Sequence, residues 1–220
     1  MLTIYLTRHG ETQWNLENRL QGSKDSPLTE KGATSATKLG KRLKDTHFSA
    51  IYSSPSGRAV QTAQYINAHQ PAKNTPIITI KDLQELHFGE WEGKTKDEIG
   101  ITENQNNLGR HNNTPNHRTE FQNFWEEPHL YNHEPHQGES LVAFKQRVET
   151  AVRKIMSENL NGNILIVTHA VVIKAIMSFT MDIPTERMWD GPFIHGTSLT
   201  IIKWDGNQFK YEILGDTTHL

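Results

Sequence analysis

The chain has 220 residues, a formal net charge of −2 and no cysteine. Its length suits one α/β domain and lets a core form without covalent staples. Without cysteine there are no disulfides, thiolate metal sites or cysteine nucleophiles, and the near-balanced charge gives no sign of a nucleic-acid or acidic-membrane partner.

The N-terminal run Met1-Leu2-Thr3-Ile4-Tyr5-Leu6 lacks the basic and long apolar regions of a signal peptide. The most apolar stretch, residues 164–177, is interrupted by His169 and Lys174 and falls short of the ~20 residues that span a bilayer. The expectation is a soluble, cytoplasmic protein.

Short β-branched runs alternate with helical patterns, which predicts a mostly parallel sheet. Residues 2–7 form the first expected strand. A helix begins at Thr29, with Glu30 and Lys31 in its first turn and Leu39 and Leu43 as apolar positions. Residues 50–53 read as a second strand, and Pro55 suits the first turn of a helix running to about Ala68. A third strand is expected over 77–80. Leu141, Phe144, Val148, Val152 and Ile155 recur at helical spacing and predict a helix over 141–160. Residues 164–168 form a fourth, strongly apolar strand, and an apolar helix runs from Ala170 to about Thr180. The runs 197–204 and 209–214, joined through Asp205-Gly206, predict a closing hairpin.

Residues from about 95 to 138 are rich in Asn, His, Pro and Glu, with only local helical pattern at Phe121, Phe124 and Trp125. This is expected to be a cap inserted into a single domain covering residues 1–220.

Chemistry-bearing residues fall at the ends of the expected strands. Arg8-His9-Gly10 follows the first, Arg58 lies past the second, Glu85 past the third, and His169 ends the fourth. In an open parallel sheet the carboxyl ends of the strands share one edge, where ligands bind. Each of these residues alone has an ordinary structural explanation, but their convergence points to one pocket. The residue types suit phosphate: guanidinium forks grip its oxygens, clustered cations meet the charge of a transferring phosphoryl group, and a neutral imidazole can attack phosphorus. A carboxylic acid beside anionic groups keeps its proton and can donate it to the departing alkoxide.

The heptad Leu6-Thr7-Arg8-His9-Gly10-Glu11-Thr12 resembles the signature of the histidine phosphatase (phosphoglycerate mutase-like) superfamily. Asn15, Arg19-Leu20-Gln21-Gly22 and Asp25-Ser26-Pro27-Leu28-Thr29-Glu30-Lys31-Gly32 are similar to the segment that follows it in bacterial members. Ser53-Ser54-Pro55 with Arg58-Ala59, then Glu85 with Trp91-Glu92-Gly93-Lys94, and finally Gly138-Glu139-Ser140 with Val167-Thr168-His169 resemble the later motifs in the same order. The resemblance implies a three-layer α/β/α sandwich with a cap between the third and fourth core strands. It also implies His9 as the phosphorylated nucleophile and Glu85 as the acid that later activates water. Arg8, Arg58 and His169 would hold the phosphoryl oxygens, with Asn15, Gln21, the backbone around Gly22, and the Ala170 N–H completing the pocket. No metal and no cofactor are implied, and the expected partners are small-molecule phosphate monoesters.

Two departures stand out. Ser56-Gly57 replaces a commonly larger residue, and Ala170 replaces a common glycine, so its side chain is expected to narrow the pocket. The mutase branch carries an Arg-His-Tyr-Gly run after the catalytic glutamate, where this chain has Leu86-His87-Phe88-Gly89, and only Lys96, Arg110 and Arg118 are fixed cations in the cap. Leu86, Phe88, Phe121, Phe124, Trp125 and Tyr131 suggest a partly apolar mouth. The reading that follows is a broad-specificity phosphomonoesterase resembling bacterial broad-specificity phosphatases. The alternatives are a phosphoglycerate mutase or, from another class, a non-catalytic phospho-ligand binding module.

The cap also carries His111, His117, His129, His133 and His136, and the spacing of His129 and His133 would suit a metal on a helix. Pro128 and Pro135 bracket that pair and argue against a helix, leaving a solvated polar loop whose histidines charge near pH 6.5. Residues 89–95 imitate a P-loop, but the spacing is one residue short, and Glu90 and Glu92 would repel phosphate.

Overall fold

Alternation along the strands builds the core. On β1 (Leu2–Arg8), Leu2, Ile4 and Leu6 join one apolar cluster while Tyr5 packs with the other. The same period of two divides β4 (Gly162–Thr168): Ile164 and Ile166 face the first cluster, Leu165 and Val167 the second. Both faces are therefore buried, and helices cover each. The computed structural model describes residues 1–72, 75–99 and 117–220.

The six strands lie in the order β3-β2-β4-β1-β5-β6, with β2 (Ala50–Ser53), β3 (Ile77–Thr79), β5 (Leu199–Trp204) and β6 (Phe209–Asp216). The pairs β1–β4, β4–β2 and β2–β3 are parallel, whereas β5 and β6 run antiparallel, as a closing hairpin must. In the hairpin loop the Asp205 carboxylate accepts from the backbone N–H groups of Asn207 and Gln208. At the N-terminal side lie α1 (Gln13–Leu16), a four-residue helix which the sequence did not signal, and α2 (Glu30–Arg42). With α3 (Gly57–Asn67), α2 covers one face of the sheet, and α5 (Leu141–Glu158) and α6 (Ala170–Thr180) cover the other. The result is the expected α/β/α sandwich. Among the described residues no helix is long and apolar enough to cross a membrane.

One helix start differs from expectation. Pro55 lies outside α3, not in its first turn, because Ser54 N–H still bonds to the Val167 carbonyl and Ser56 is the extended N-cap. That cap makes no side-chain bond; the Asp25 carboxylate instead accepts from the Arg58 N–H at 3.4 Å. A β-carbon on Gly57 would meet this carboxylate at 2.5 Å, which explains why a small residue stands there.

Between β3 and α5 the described residues include single turns of 3₁₀ helix over Lys81–Leu83 and Gly89–Trp91, then α4 (His117–Glu126), then two more over Pro128–Leu130 and Glu134–His136. Phe121 and Phe124 are buried against Trp91, Phe88 and Tyr131. His129 and His133 sit in turns, as their flanking prolines predict, and no group of three or more metal-ligating side chains is gathered among the described residues. His136 lies flat on Trp91, with ring centroids 3.6 Å apart, and is fully buried. Burial first, then the neighbouring histidines, pulls its pKa down to about 4, so it stays neutral where an ordinary histidine would charge. Arg110 and His111 lie outside the described residues.

The loop after β1 rests on α2 backbone to backbone. A β-carbon on Gly10 would meet the Gly32 carbonyl oxygen at 2.6 Å, and one on Gly32 would run into the carbonyl of Glu11. Alanine gains about 1 kcal/mol over glycine in a helix, but forcing atoms into a filled contact costs about 1–3 kcal/mol, here against unyielding backbone. Gly32→Ala is therefore expected to lower the melting temperature in thermal denaturation. A rise would contradict this packing.

Candidate active site

The parallel register places the end of β1 beside the end of β4, Arg8 opposite Thr168. His9 N–H bonds to the Thr168 carbonyl at 2.9 Å, and the His9 and His169 rings meet edge to face at 5.2 Å. Thr62 on α3 holds the Gly10 N–H at 3.0 Å, fixing the turn that aims the first histidine. Four expected strand ends thus meet, and Arg8, His9, Arg58, Glu85 and His169 gather at one edge of the sheet.

Hydrogen bonding settles the tautomers. His9 Nδ1 lies 2.7 Å from the Gly10 carbonyl, which can only accept, so Nδ1 carries the proton and Nε2 keeps its lone pair. His169 is the reverse: Arg58 Nη2 donates to its Nδ1 at 3.1 Å, so Nε2–H donates to Ser54 Oγ at 2.7 Å. Burial, and then the cations Arg58 and Arg8 among the neighbours, hold His9 well below the ordinary imidazole range. His169 is lowered by the same causes, with His9 and Arg147 also contributing. Both rings are neutral near pH 7.

Glu85 is buried, and its two oxygens accept from Leu86 N–H at 3.0 Å and Val171 N–H at 3.2 Å. Burial raises its pKa above the usual carboxyl value, against those bonds and the attraction of Arg58 and Arg8. A carboxyl shifted this way retains a proton more readily than one in water, which suits a general acid.

The two arginines differ. Arg58 commits four of its five donors: Nη1 to the Lys24 carbonyl and Asp25, Nη2 to the Gly22 carbonyl and His169. It braces the site more than it offers the expected fork. Arg8 donates from Nη1 to the Ile194 carbonyl at 2.9 Å. The Nε–H groups of both are buried without a partner among the described residues. Leaving such charged donors unpaired costs about 1–3 kcal/mol or more each, which an anion in the site would offset.

The remaining expected residues divide. Asn15 lines a pocket of about 350 Å³ with Arg8, but its Oδ1 caps α1 by accepting from Thr12 N–H and Oγ1, leaving the amide nitrogen for a ligand. Gly22 takes a left-handed φ of 56°, where its carbonyl meets Arg58 and a side chain would run into Glu92. Gln21 is buried on the same loop, its Oε1 without a partner among the described residues. Ala170 opens α6 and lines a second pocket of about 440 Å³.

The mouth is apolar, but not through the expected side chains. Leu86, Phe88, Phe121 and Phe124 are packed in the same core cluster as side chains of β1, α5 and α6, and Tyr131 is packed against it. Of that group only Trp125 reaches the second pocket, whose wall is otherwise built by Trp189, Pro192, Phe193 and Ile194. These come from an irregular segment whose sequence shows no period to betray it. Phe193 and Lys96 line both pockets. Ser54 and Asp25, partners of His169 and Arg58, also went unassigned, since a serine and an aspartate in loops look like ordinary turn residues.

The chain matches the family description "Histidine phosphatase superfamily (branch 1)" over residues 4–217. It belongs to that superfamily. The structure of YhfR from Bacillus stearothermophilus is 42% identical, with a TM-score of 0.87 over 100% of this chain and 99% of that one. A curated relative from Proteus mirabilis, "Probable phosphoglycerate mutase GpmB", is 30% identical over 100% of this chain and 95% of its own. A phosphoserine phosphatase of Entamoeba histolytica, solved with 3-phosphoglyceric acid, is 25% identical with a TM-score of 0.79, covering 100% of this chain and 99% of that one. Relatives of this family member thus bear both phosphatase and mutase names.

The tautomers are directly measurable. In ring-nitrogen NMR spectra at pH 6.5, His9 is expected to be neutral with its proton on Nδ1 and His169 neutral with its proton on Nε2. Because both pKa values are lowered, the rings should charge only on acidification well below pH 6.5. Ordinary titration of either ring near 6.5 would show that the burial argument fails.

Proposed function

We propose that the chain is a metal-independent phosphomonoesterase of broad specificity that works through a phosphohistidine at His9. The observation that carries this reading is the Nδ1–H bond to Gly10, which leaves the Nε2 lone pair free in a site where Arg58 and Arg8 act on His9 and keep buried Nε–H groups unpartnered among the described residues. Nε2 attacks phosphorus, a P–N bond forms, and the ester P–O bond breaks. Glu85 gives its proton to the leaving oxygen. The resulting carboxylate then takes a proton from water as that oxygen attacks phosphorus, the P–N bond breaks, and inorganic phosphate leaves with both residues restored.

Arg8 and Arg58 meet the phosphoryl charge through their Nε–H groups, and Arg58 keeps the ring of His169 oriented. His169 Nε2–H exchanges its Ser54 partner for a phosphoryl oxygen, and Asn15, Gln21, the Gly22 backbone and the Ala170 N–H complete the cradle. The leaving group lies against the apolar wall of Trp125, Trp189 and Phe193. Such a wall binds by area and selects weakly among shapes, which favours broad specificity.

A second reading, phosphoglycerate mutase, is favoured by the name of the Proteus relative. A mutase must hold a second anionic group. The cations lining the two pockets are Arg8, Arg19, Lys96 and Lys174. Arg19 is paired with Glu17 and Glu98, and Lys174 donates to the carbonyls of Trp189 and Asp190, so of these four Lys96 is left beside Arg8 to meet a second anionic group. A non-catalytic binding module would not need an acid and a nucleophile held in these protonation states.

The deciding experiment is hydrolysis of p-nitrophenyl phosphate and a panel of natural monoesters in excess EDTA. Turnover is expected to survive EDTA, to vanish in His9→Ala, and to fall by about 10²-fold or more in Glu85→Gln for alkyl esters. Loss with EDTA, or efficient phosphoglycerate isomerisation in a coupled assay, would overturn the reading. The wall has its own test. Phe193 is 69% exposed, and removing its ring is expected to lower kcat/KM for aryl esters about tenfold, from about 1.5 kcal/mol of lost burial, while glycerol phosphate is little affected.

A further inference from the structure

Three of the five N–H donors of one arginine go to the segment that carries Glu85, and the other two go to Glu139. Arg147 lies on α5, two turns beyond the Ser140 N-cap. Its Nη1 donates to the carbonyls of Asp82 at 2.8 Å and Gln84 at 2.9 Å, and its Nη2 to the carbonyl of Glu85 itself at 3.1 Å. The remaining donors grip both oxygens of Glu139, at 2.6 Å from Nε and 2.8 Å from Nη2. Glu139 in turn accepts from the His87 N–H at 3.3 Å. Residues 84–88 belong to no helix or strand, so their backbone has no ladder to define it.

The Gly138-Glu139-Ser140 motif finds its purpose here. Ser140 caps α5 through the Ala143 N–H, which fixes where the helix starts. Gly138 leaves space that a β-carbon could not share with His136 Nε2, 2.6 Å away. Glu139 then meets Arg147 from outside the helix, and the pair fastens the chain on both sides of Glu85.

We propose that Arg147, braced by Glu139, is a positioning residue for Glu85. It holds the backbone of residues 82–87 so that the carboxyl stays on the Val171 N–H and faces the leaving oxygen, then the attacking water. This rests on the phosphatase reading above. The role is geometric: the cations that act on the Glu85 carboxyl are Arg58 and Arg8, not Arg147. Arg147 reaches Glu85 through its carbonyl, where a lysine could not replace a planar fork.

The test separates the acid from the nucleophile. Arg147→Gln and Glu139→Gln in the full chain are compared with wild type on β-glycerophosphate, a poor leaving group, and on 2,4-dinitrophenyl phosphate, whose leaving group departs without a proton. Single-turnover release of dinitrophenolate reports transfer to His9 alone. For Arg147→Gln, kcat on β-glycerophosphate is expected to fall about 10- to 100-fold with KM within about twofold, while the dinitrophenolate release rate stays within about threefold. Arg153→Gln, which removes an exposed cation from the same helix, should change neither rate. Equal loss in both rates would mean a general structural role, and no loss in either would mean that Glu85 needs no clamp; both overturn the proposal. If Arg147→Gln does not fold, Glu139→Gln keeps the side-chain shape and carries the same comparison. A wild type without hydrolysis would defeat the phosphatase reading together with this inference, whereas an active wild type with unaffected variants defeats the inference alone.

Discussion

Arg58 is a fully buried cation, and much of the site follows from where its donors go. Its one carboxylate partner among the described residues, Asp25, is itself partly exposed, so the guanidinium leans on the carbonyls of Gly22 and Lys24 and on the ring of His169. Those bonds tie the loop of residues 22–25 to α3 and to the end of β4. Because a guanidinium can only donate, the ring of His169 must accept at Nδ1, which sends its proton to Ser54. Gly22 and Gly57 are glycines for the same reason: each stands where a side chain would obstruct the partners of this arginine or of its loop.

The electrostatics then form a consistent set. Burial first, and then the cations Arg58 and Arg8, discourage further positive charge, so His9 and His169 remain neutral, as the nucleophile and the oriented donor of the proposed reaction need to be. The same cations favour an ionised Glu85, yet burial outweighs them and the carboxyl is shifted upward. Adding a phosphoryl dianion strengthens that shift, since negative charge beside a carboxyl disfavours its ionisation. In the proposed reaction, substrate binding would therefore both satisfy the arginine Nε–H groups and prepare Glu85 as the acid.

The sequence exposed the frame of this arrangement clearly. Four β-branched runs marked the parallel strands, and the residues just past them, His9, Arg58, Glu85 and His169, were found together because topology alone aligns strand ends. What it hid has physical reasons too. Apolar periodicity shows that Phe121 and Phe124 lie on one face of a helix, but not whether that face meets a core or a cavity; here it meets a core. The residues that do line the mouth, such as Pro192 and Phe193, lie on irregular chain with no period. The capping bond that Asn15 makes through its carbonyl oxygen was hidden because α1 is a four-residue helix too short to show a pattern. Arg147 was legible only as a polar position on an amphipathic helix, since its partners are backbone carbonyls that any sequence supplies.

The two ends of the site obey different rules, and that difference shapes specificity. At the phosphoryl end nearly every donor has a fixed direction, set by backbone bonds and by buried charges that cannot move without large cost. Whereas the first pocket also presents Glu11, Asn18, Lys96 and His195, along the wall of the second the contacts are chiefly rings and aliphatic carbons, with Lys174 turned to carbonyls. A hydroxyl or carboxylate on the leaving group would find few obligatory partners there, and its absence would leave few groups unsatisfied. Strong discrimination arises where a site strands its own polar groups against the wrong ligand. That wall has little to strand, so in the proposed reaction a leaving group lying along it is sorted chiefly by fit and apolar area.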